Sequence, residues 1–351
     1  MAYTNIDDPS AYFQTALYTG TGNELVVTND GNSDLQPDFI WIKNRTDGST
    51  NHHAVNTSIG STRNLFVNKT DYEEGQAQSV KSIQSDGFTL GTWDGDNVNA
   101  KNFVAWQWKA NGGTTASNTD GSITTTTQVN SDAGFSIVSW AGGGTGSLGH
   151  GLGVVPDMWI VKNRDYAVSW AVGFSDSSFL GGTSNYLSLN TTQATLTYNN
   201  IWGSSPANSS TITMAGDRSV NISGNSYVGF FFKAKQGYSK FGKYVGNGNT
   251  NGTFVYTGFK PAFVMLKCAT AASHWCMFDS KRAGYNDDNY RLYPNLANAE
   301  ITTETNIDLL SNGFKLLRSD TDVNNNGSTY IYMAFAENPF VTSTGIPATA
   351  R

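Results

Sequence analysis

Pro37-Asp38-Phe39-Ile40-Trp41-Ile42-Lys43-Asn44-Arg45 returns as Pro156-Asp157-Met158-Trp159-Ile160-Val161-Lys162-Asn163-Arg164, and again, shortened, as Pro261-Ala262-Phe263-Val264-Met265-Leu266-Lys267. Each is an apolar run of strand length, opened by a proline and closed by a lysine. Proline offers no N–H to a ladder, so it belongs at a strand's beginning. A run with so little polar alternation belongs to a strand covered on both faces. The three prolines lie 119 and 105 residues apart. That is too long for a solenoid, whose units repeat at about 20–50 residues, and it suits a domain of about 100–150 residues.

Working outward, each run is preceded by a Gly-rich turn: Tyr18-Thr19-Gly20-Thr21-Gly22-Asn23, Trp140-Ala141-Gly142-Gly143-Gly144, and Tyr244-Val245-Gly246-Asn247-Gly248-Asn249. Glycine permits the positive φ angles of tight turns. Each run is followed by an aromatic strand: Phe103 to Ala110, Tyr227 to Ala234, and Tyr330 to Ala336. Between them, Ser85-Asp86-Gly87-Phe88-Thr89-Leu90 is matched by Ser311-Asn312-Gly313-Phe314-Lys315-Leu316, a turn followed by a strand with inward positions two apart. The second copy lacks this marker, and Met214-Ala215-Gly216-Asp217 stands in its place.

The chain therefore reads as all-β, three tandem antiparallel β-sandwich domains of jelly-roll or lectin-like type. The expected boundaries are 1–112, 133–236 and 237–340, each with its own core. Residues 113–132, rich in Gly, Ser, Thr and Asn, read as a linker, and 341–351 as an extended or disordered tail. Only Lys235-Gln236-Gly237 separates the last two copies, which restricts their angle.

Composition narrows the function classes. A net charge of −6 without a basic cluster argues against nucleic acid or an anionic membrane as partner. No apolar stretch approaches the roughly 18–20 residues of a membrane span. The opening residues show no basic-then-apolar leader, so synthesis in the cytoplasm is expected. Two cysteines are too few for a disulfide scaffold. Cys268 and Cys276 flank one hairpin and pair only if the register opposes them, so reduced thiols are expected. Asn-x-Ser/Thr triplets at Asn56, Asn68, Asn190 and Asn251 are expected by chance in a chain this rich in Asn, Ser and Thr.

Candidate chemistry is sparse. The four histidines, His52, His53, His150 and His274, fall in a polar loop, a Gly-rich turn and before Trp275, none at metal-ligand spacing with Cys, Asp or Glu. The carboxylate pairs that glycoside hydrolysis would need are Glu73-Glu74, Asp287-Asp288 and Glu300 with Glu304, and adjacent acids in polar runs read as solvated loop charges. Asp322-Val323-Asn324-Asn325-Asn326-Gly327 fits the first half of a calcium loop, but Met333 stands where the bidentate acid belongs. Asp94-Gly95-Asp96-Asn97 occupies the equivalent place in the first copy, so a turn is the simpler reading. Gly142 to Gly146 lacks the lysine and helix of a phosphate loop and reads as a hairpin. Trp41, Trp106, Trp159 and Phe231 read as core. Trp93, Trp202 and Tyr285, in polar stretches, read as the exposed aromatics on which a sugar would stack. No catalytic, metal or cofactor-binding residue is assigned, and the ligand-binding residues are left open.

Taken together, Tyr-x-Gly-x-Gly, Pro-Asp with its strand and Lys-Asn-Arg, Ser-Asp-Gly-Phe-x-Leu, and the ending Ala334-Phe335-Ala336-Glu337-Asn338-Pro339-Phe340 resemble virion structural proteins of tailed phages of marine bacteria, the cyanophages and pelagiphages, often described as tail-fibre proteins. The resemblance implies location on a virion, with other virion proteins of tail or capsid and a host-surface glycan as partners, and no residue roles. It lacks the shaft repeats of a long fibre. The expected function is a non-enzymatic exterior protein of tail-fibre type or an accessory host-attachment protein. Capsid decoration, a lectin-like glycan-binding module and a depolymerase are the alternatives. A homo-oligomer is expected, a trimer favoured.

Overall fold

The computed structural model describes residues 2–203, 207–282, 286 and 290–348. Among them, helix is confined to 3-10 turns at Pro9–Ala11 and Ser177–Phe179 and a short α-helix at Asp94–Asn97, and the sheets are antiparallel. The main sheets of the copies have six, eight and four strands, and all share four in one spatial order. A leading strand (Phe13–Thr19, Phe135–Ala141, Ser239–Val245) pairs with a returning strand (Asn102–Trp108, Ser226–Phe232, Thr329–Pro339). That strand pairs on its other side with the Pro-led strand (Phe39–Asn44, Met158–Asn163, Phe259–Cys268). An outer strand follows (His53–Asn56, Ala171–Phe174, Trp275–Asp279).

The register makes the copies superposable position by position. Trp108, Phe232 and Phe335 each oppose the first residue of their leading strand or one beside it, and each also opposes the residue two after the proline, Phe39, Met158 or Phe263. A smaller sheet lies over one face of each main sheet. Its strands are Leu25–Val27, Val80–Gln84 and Gly87–Leu90 in the first copy, Gly146–Gly149 and Thr211–Met214 in the second, and Phe254–Tyr256, Ile307–Leu310 and Gly313–Leu316 in the third. These sandwiches enclose three local cores, to which the Pro-led strand contributes alternate residues: Ile40 and Ile42, Trp159 and Val161, Val264 and Leu266.

The other alternate set explains why the runs show no polar face. Phe39 and Trp41, Met158 and Ile160, and Phe263 and Met265 all enter one further cluster of buried residues drawn from all three copies. Aromatic rings cross between copies there: Phe13 with Phe335 at 5.2 Å, Trp108 with Phe335 at 5.6 Å, Phe232 with Phe335 at 6.1 Å. Phe39 of the first copy meets Phe230 of the second at 4.2 Å, and the equivalent Phe263 of the third meets Trp106 of the first at 5.8 Å. The relation is cyclic. The copies are thus three lobes around a pseudo-threefold core, and only their inner layers are cores of their own.

Three expectations change. Residues 113–132 are not a plain linker: Ala116–Asn118 and Thr125–Asn130 are strands, the latter paired along the leading strand of lobe 2 and burying Thr125, Thr127 and Gln128. Threonine is as much a strand former as a loop residue, and composition alone hid this. The strand equivalent to Gly87–Leu90 in lobe 2 is Thr211–Met214, three residues ahead of the expected place, with Ile212 inward where Phe88 stands. The tail is folded back as far as Ala348 by the bridge Val341 to Pro347, with Ser343 donating to the Asp7 carboxylate. Residues 349–351 lie outside the described residues.

Candidate functional site

Each lobe enters at its leading strand and leaves by its returning strand, so the lobe crossings, the residues near both chain ends and the ring cluster gather at one end, the base, from which the hairpin of residues 116–130 runs up along lobe 2. The Gly-rich turns form the opposite end, the tip. There, a buried asparagine holds each turn. The Asn97, Asn221 and Asn324 carbonyls accept from Gly22, Gly144 and Gly248 N–H at 2.8, 2.8 and 2.9 Å. Their Oδ1 atoms accept from Thr21, Gly143 and Asn247 N–H. The first glycine of each turn lies so close that an added Cβ would land on a backbone carbonyl oxygen, of Val98 at Gly20, Ile222 at Gly142 and Asn325 at Gly246. This is why Gly recurs there.

The calcium-loop likeness at Asp322 to Gly327 dissolves in this arrangement. Asn324 is committed to the turn, and the Asp322 carboxylate accepts from His274 N–H at 2.9 Å and Tyr293 Oη at 3.4 Å. Asp320 holds Arg318 at 2.8 Å. Among the described residues no group of three or more His, Cys, Asp and Glu is placed to hold a metal ion, and Glu304, Asp320 and Asp322 surround Arg291 instead.

Three buried lysines, the last residues of the quoted runs, fasten the lobes together. Lys43 Nζ donates to Thr50 O in its own lobe and Ala297 O of lobe 3, at 2.8 and 2.9 Å. Lys162 donates to Val168 O and, across to lobe 1, to Thr70 O at 2.6 and 2.8 Å. Lys267 donates to Ser273 Oγ and, across to lobe 2, to Thr192 O at 3.2 and 3.3 Å. Burial pulls Lys43 down to about 8, Lys162 to about 7 and Lys267 to about 8, with Asp47, Asp71 and Cys268 opposing the shift. A neutral amine still has two N–H groups for the two carbonyls at Lys43 and at Lys162, whereas Lys267 has a third acceptor in Cys268 O at 2.9 Å.

Four residues before each cross-seam acceptor, a second contact repeats. Trp170 Nε1 donates to Phe66 O and Trp275 Nε1 to Ser188 O, both at 3.0 Å. In lobe 1 the place is taken by His52, which lies against the Tyr293 backbone without a hydrogen bond of normal geometry from Nε2. Burial first, and Lys43 second, push its pKa well down, so the ring is neutral. Three residues after each acceptor the seams diverge: Arg45 pairs with Glu300 at 2.9 Å and Arg164 with Glu73 at 2.5 Å, whereas the third seam has Thr195 Oγ1 on Ala269 O at 2.8 Å.

The remaining candidates find structural roles. Glu73 and Glu300 are seam ion pairs, Glu304 holds Arg291 and Arg318, and Glu74 is exposed. Asp287, Asp288 and Tyr285 lie outside the described residues. His52, His53 and His150 are buried. His53 Nδ1 meets Asp96 Oδ1 at 2.6 Å while Ser79 Oγ donates to the other oxygen. The hydroxyl sits on the carboxylate and not on the imidazole, so no nucleophile is activated. Trp202 is buried, edge-on to Trp159 at 5.4 Å, and Trp93 is half-buried on His53. Trp41, Trp106, Trp159 and Phe231 are core as expected. Leu266, not Cys268, opposes Cys276, and both thiols are free and buried.

Sequence reasoning missed the seam acceptors, although a signal was present: Leu65-x-x-Asn68, Leu187-x-x-Asn190 and Leu292-x-x-Asn295 recur, and each Asn Oδ1 accepts from the His52, Trp170 or Trp275 N–H. One hollow of about 340 Å³ opens between lobes 1 and 3 at the base, lined by Phe13, Gln14, Thr15, Ala262, Ser280 and Glu337 among others. Neither a curated protein nor a solved structure matches the chain. A family match spans residues 8–339, from the leading edge of lobe 1 to the end of the last returning strand. The chain therefore belongs to the DUF7483 family, described as a domain of unknown function.

Proposed function

We propose that the protein is a non-catalytic structural protein on the exterior of a phage virion, of tail-fibre type or an accessory host-attachment protein, with other virion proteins and a host-surface glycan as partners. The observation that carries this reading is the polarity of the molecule: three equivalent lobes point the same way, with both chain ends and the lobe crossings at the base and three clamped turns at the tip, the second of them flanked by Ser122 and Ile123. An anchor at the base leaves the tips facing outward, and three equivalent tips give weak contacts the benefit of multivalency. The ionisable groups described above are spent on seams or on pairs within one lobe, which supports a structural rather than a catalytic role.

Capsid decoration is the second reading, favoured by the pseudo-threefold core, because one chain then matches a threefold position on a shell without a homotrimer. Imaging of particles that carry a labelled C-terminus separates the two. Label confined to the tail supports attachment; label over the whole head makes the protein a decoration protein; an absence of label from purified particles defeats both.

A further inference from the structure

The pseudo-threefold relation sets three equivalent leading-strand edges side by side, and they are treated differently. In lobe 2 the edge is covered by the strand Thr125–Asn130, in which Gln128 stands opposite Ile137. The Gln128 carboxamide is buried in the seam with lobe 1, donating to Thr57 Oγ1 and Ser58 Oγ at 2.9 Å each and accepting from Asn111 and Gly113 N–H. In lobe 3 the leading strand pairs on one side only, and its Lys243 side chain reaches across to Ser178 of lobe 2 at 2.9 and 3.1 Å. In lobe 1 the leading strand Phe13–Thr19 pairs on one side only.

Beside that open edge lies the hollow of about 340 Å³. Phe13 and Thr15 face the shared core and Gln14 the opposite way, yet all three line it, so the hollow straddles the strand's edge. Thr15 occupies the position of Ile137, opposite which Gln128 sits in lobe 2, and Ser280 occupies that of Thr57. Thr15 Oγ1 is buried without a hydrogen-bond partner among the described residues. A buried hydroxyl left unmade costs about 1–3 kcal/mol, and an antiparallel edge leaves alternate N–H and C=O groups pointing outward.

We infer that this edge is a strand-addition site for an extended segment of another polypeptide, one that is rich in β-branched polar residues and carries Gln or Asn opposite Thr15. The strand Thr125–Asn130 is the template: main-chain bonds supply affinity and the carboxamide in the hollow supplies register.

The test uses a synthetic peptide with the sequence of residues 124–131, Thr-Thr-Thr-Thr-Gln-Val-Asn-Ser, added at about 5 mM to the full chain, a concentration suited to a weak site. Hydrogen exchange of the Thr15 and Leu17 amides, which point to the open edge, is expected to slow about tenfold or more. The slowing is expected to vanish with the peptide bearing Leu for Gln, and with Ala262→Phe, which fills the hollow. Thr15→Val, which keeps the shape, serves as a second variant that weakens binding if Ala262→Phe misfolds. No slowing, or equal slowing by the Leu peptide, overturns the inference. So does protection that rises with protein concentration in the absence of peptide, because a second copy then owns the edge.

Discussion

At the scale of single residues, the lysines that end the quoted runs make an unusual pH response. Their folded pKa values lie below the unfolded value of 10.5, so between about 7 and 10 the unfolded chain binds more protons than the folded one. Stability therefore rises with pH through that window. Above about 10 the trend reverses, because burial raises Tyr18, Tyr238 and Tyr244 and only the unfolded chain gains from their ionisation. Thermal midpoints measured from pH 7 to 11 are expected to peak near 10, and the rise should disappear in a chain with Lys43, Lys162 and Lys267 all changed to Met. The glycines give the opposite lesson, since their role is steric. Gly142→Ala puts a methyl on the Ile222 carbonyl and is expected to cost about 2–4 kcal/mol in urea unfolding. A loss under about 0.5 kcal/mol would contradict the clamp. Both features were half legible: the sequence displays Gly20, Gly142 and Gly246 as a repeat, yet their asparagine partners lie about 77 residues on, where nothing local marks them.

Among elements, the seams decide how the lobes hold together. Trp170→Phe keeps most of the buried ring but leaves the Phe66 carbonyl with the Lys69 N–H at 3.3 Å alone, an expected loss of about 0.5–1.5 kcal/mol. Arg45→Ala leaves Glu300 with Arg282 alone and is expected to cost about 2 kcal/mol, while the same change paired with Glu300→Ala costs less than the two single losses added together. A double-mutant cycle checks this directly. Strand existence was legible from periodicity and from the prolines, because a strand covered on both faces writes itself as an unbroken apolar run. What covers the second face was not legible: Phe39, Met158 and Phe263 look alike whether they meet a second sheet or another lobe. The strand Thr125–Asn130 was hidden for the converse reason, since only Val129 among its residues is apolar and its burial comes from pairing.

For the whole molecule, a core shared by three lobes predicts one unfolding event. Calorimetry of the full chain is expected to give a single transition with equal calorimetric and van't Hoff enthalpies. Residues 133–236 produced alone, which would expose Phe135, Met158, Phe230 and Phe232 to water, are expected to aggregate or remain unfolded. Three separable transitions, or a well-folded isolated lobe, would restore the picture of independent beads. The covalent links between lobes carry a further consequence. In a homotrimer every substitution is imposed three times over, so a seam changes everywhere or nowhere. Here a single codon reaches one seam alone, and the molecule shows the result: two seams with an Arg–Glu pair and one with threonine on a carbonyl, one leading-strand edge covered by a further strand and two without one. Joining the lobes end to end turns a symmetric body into one that can be edited a third at a time.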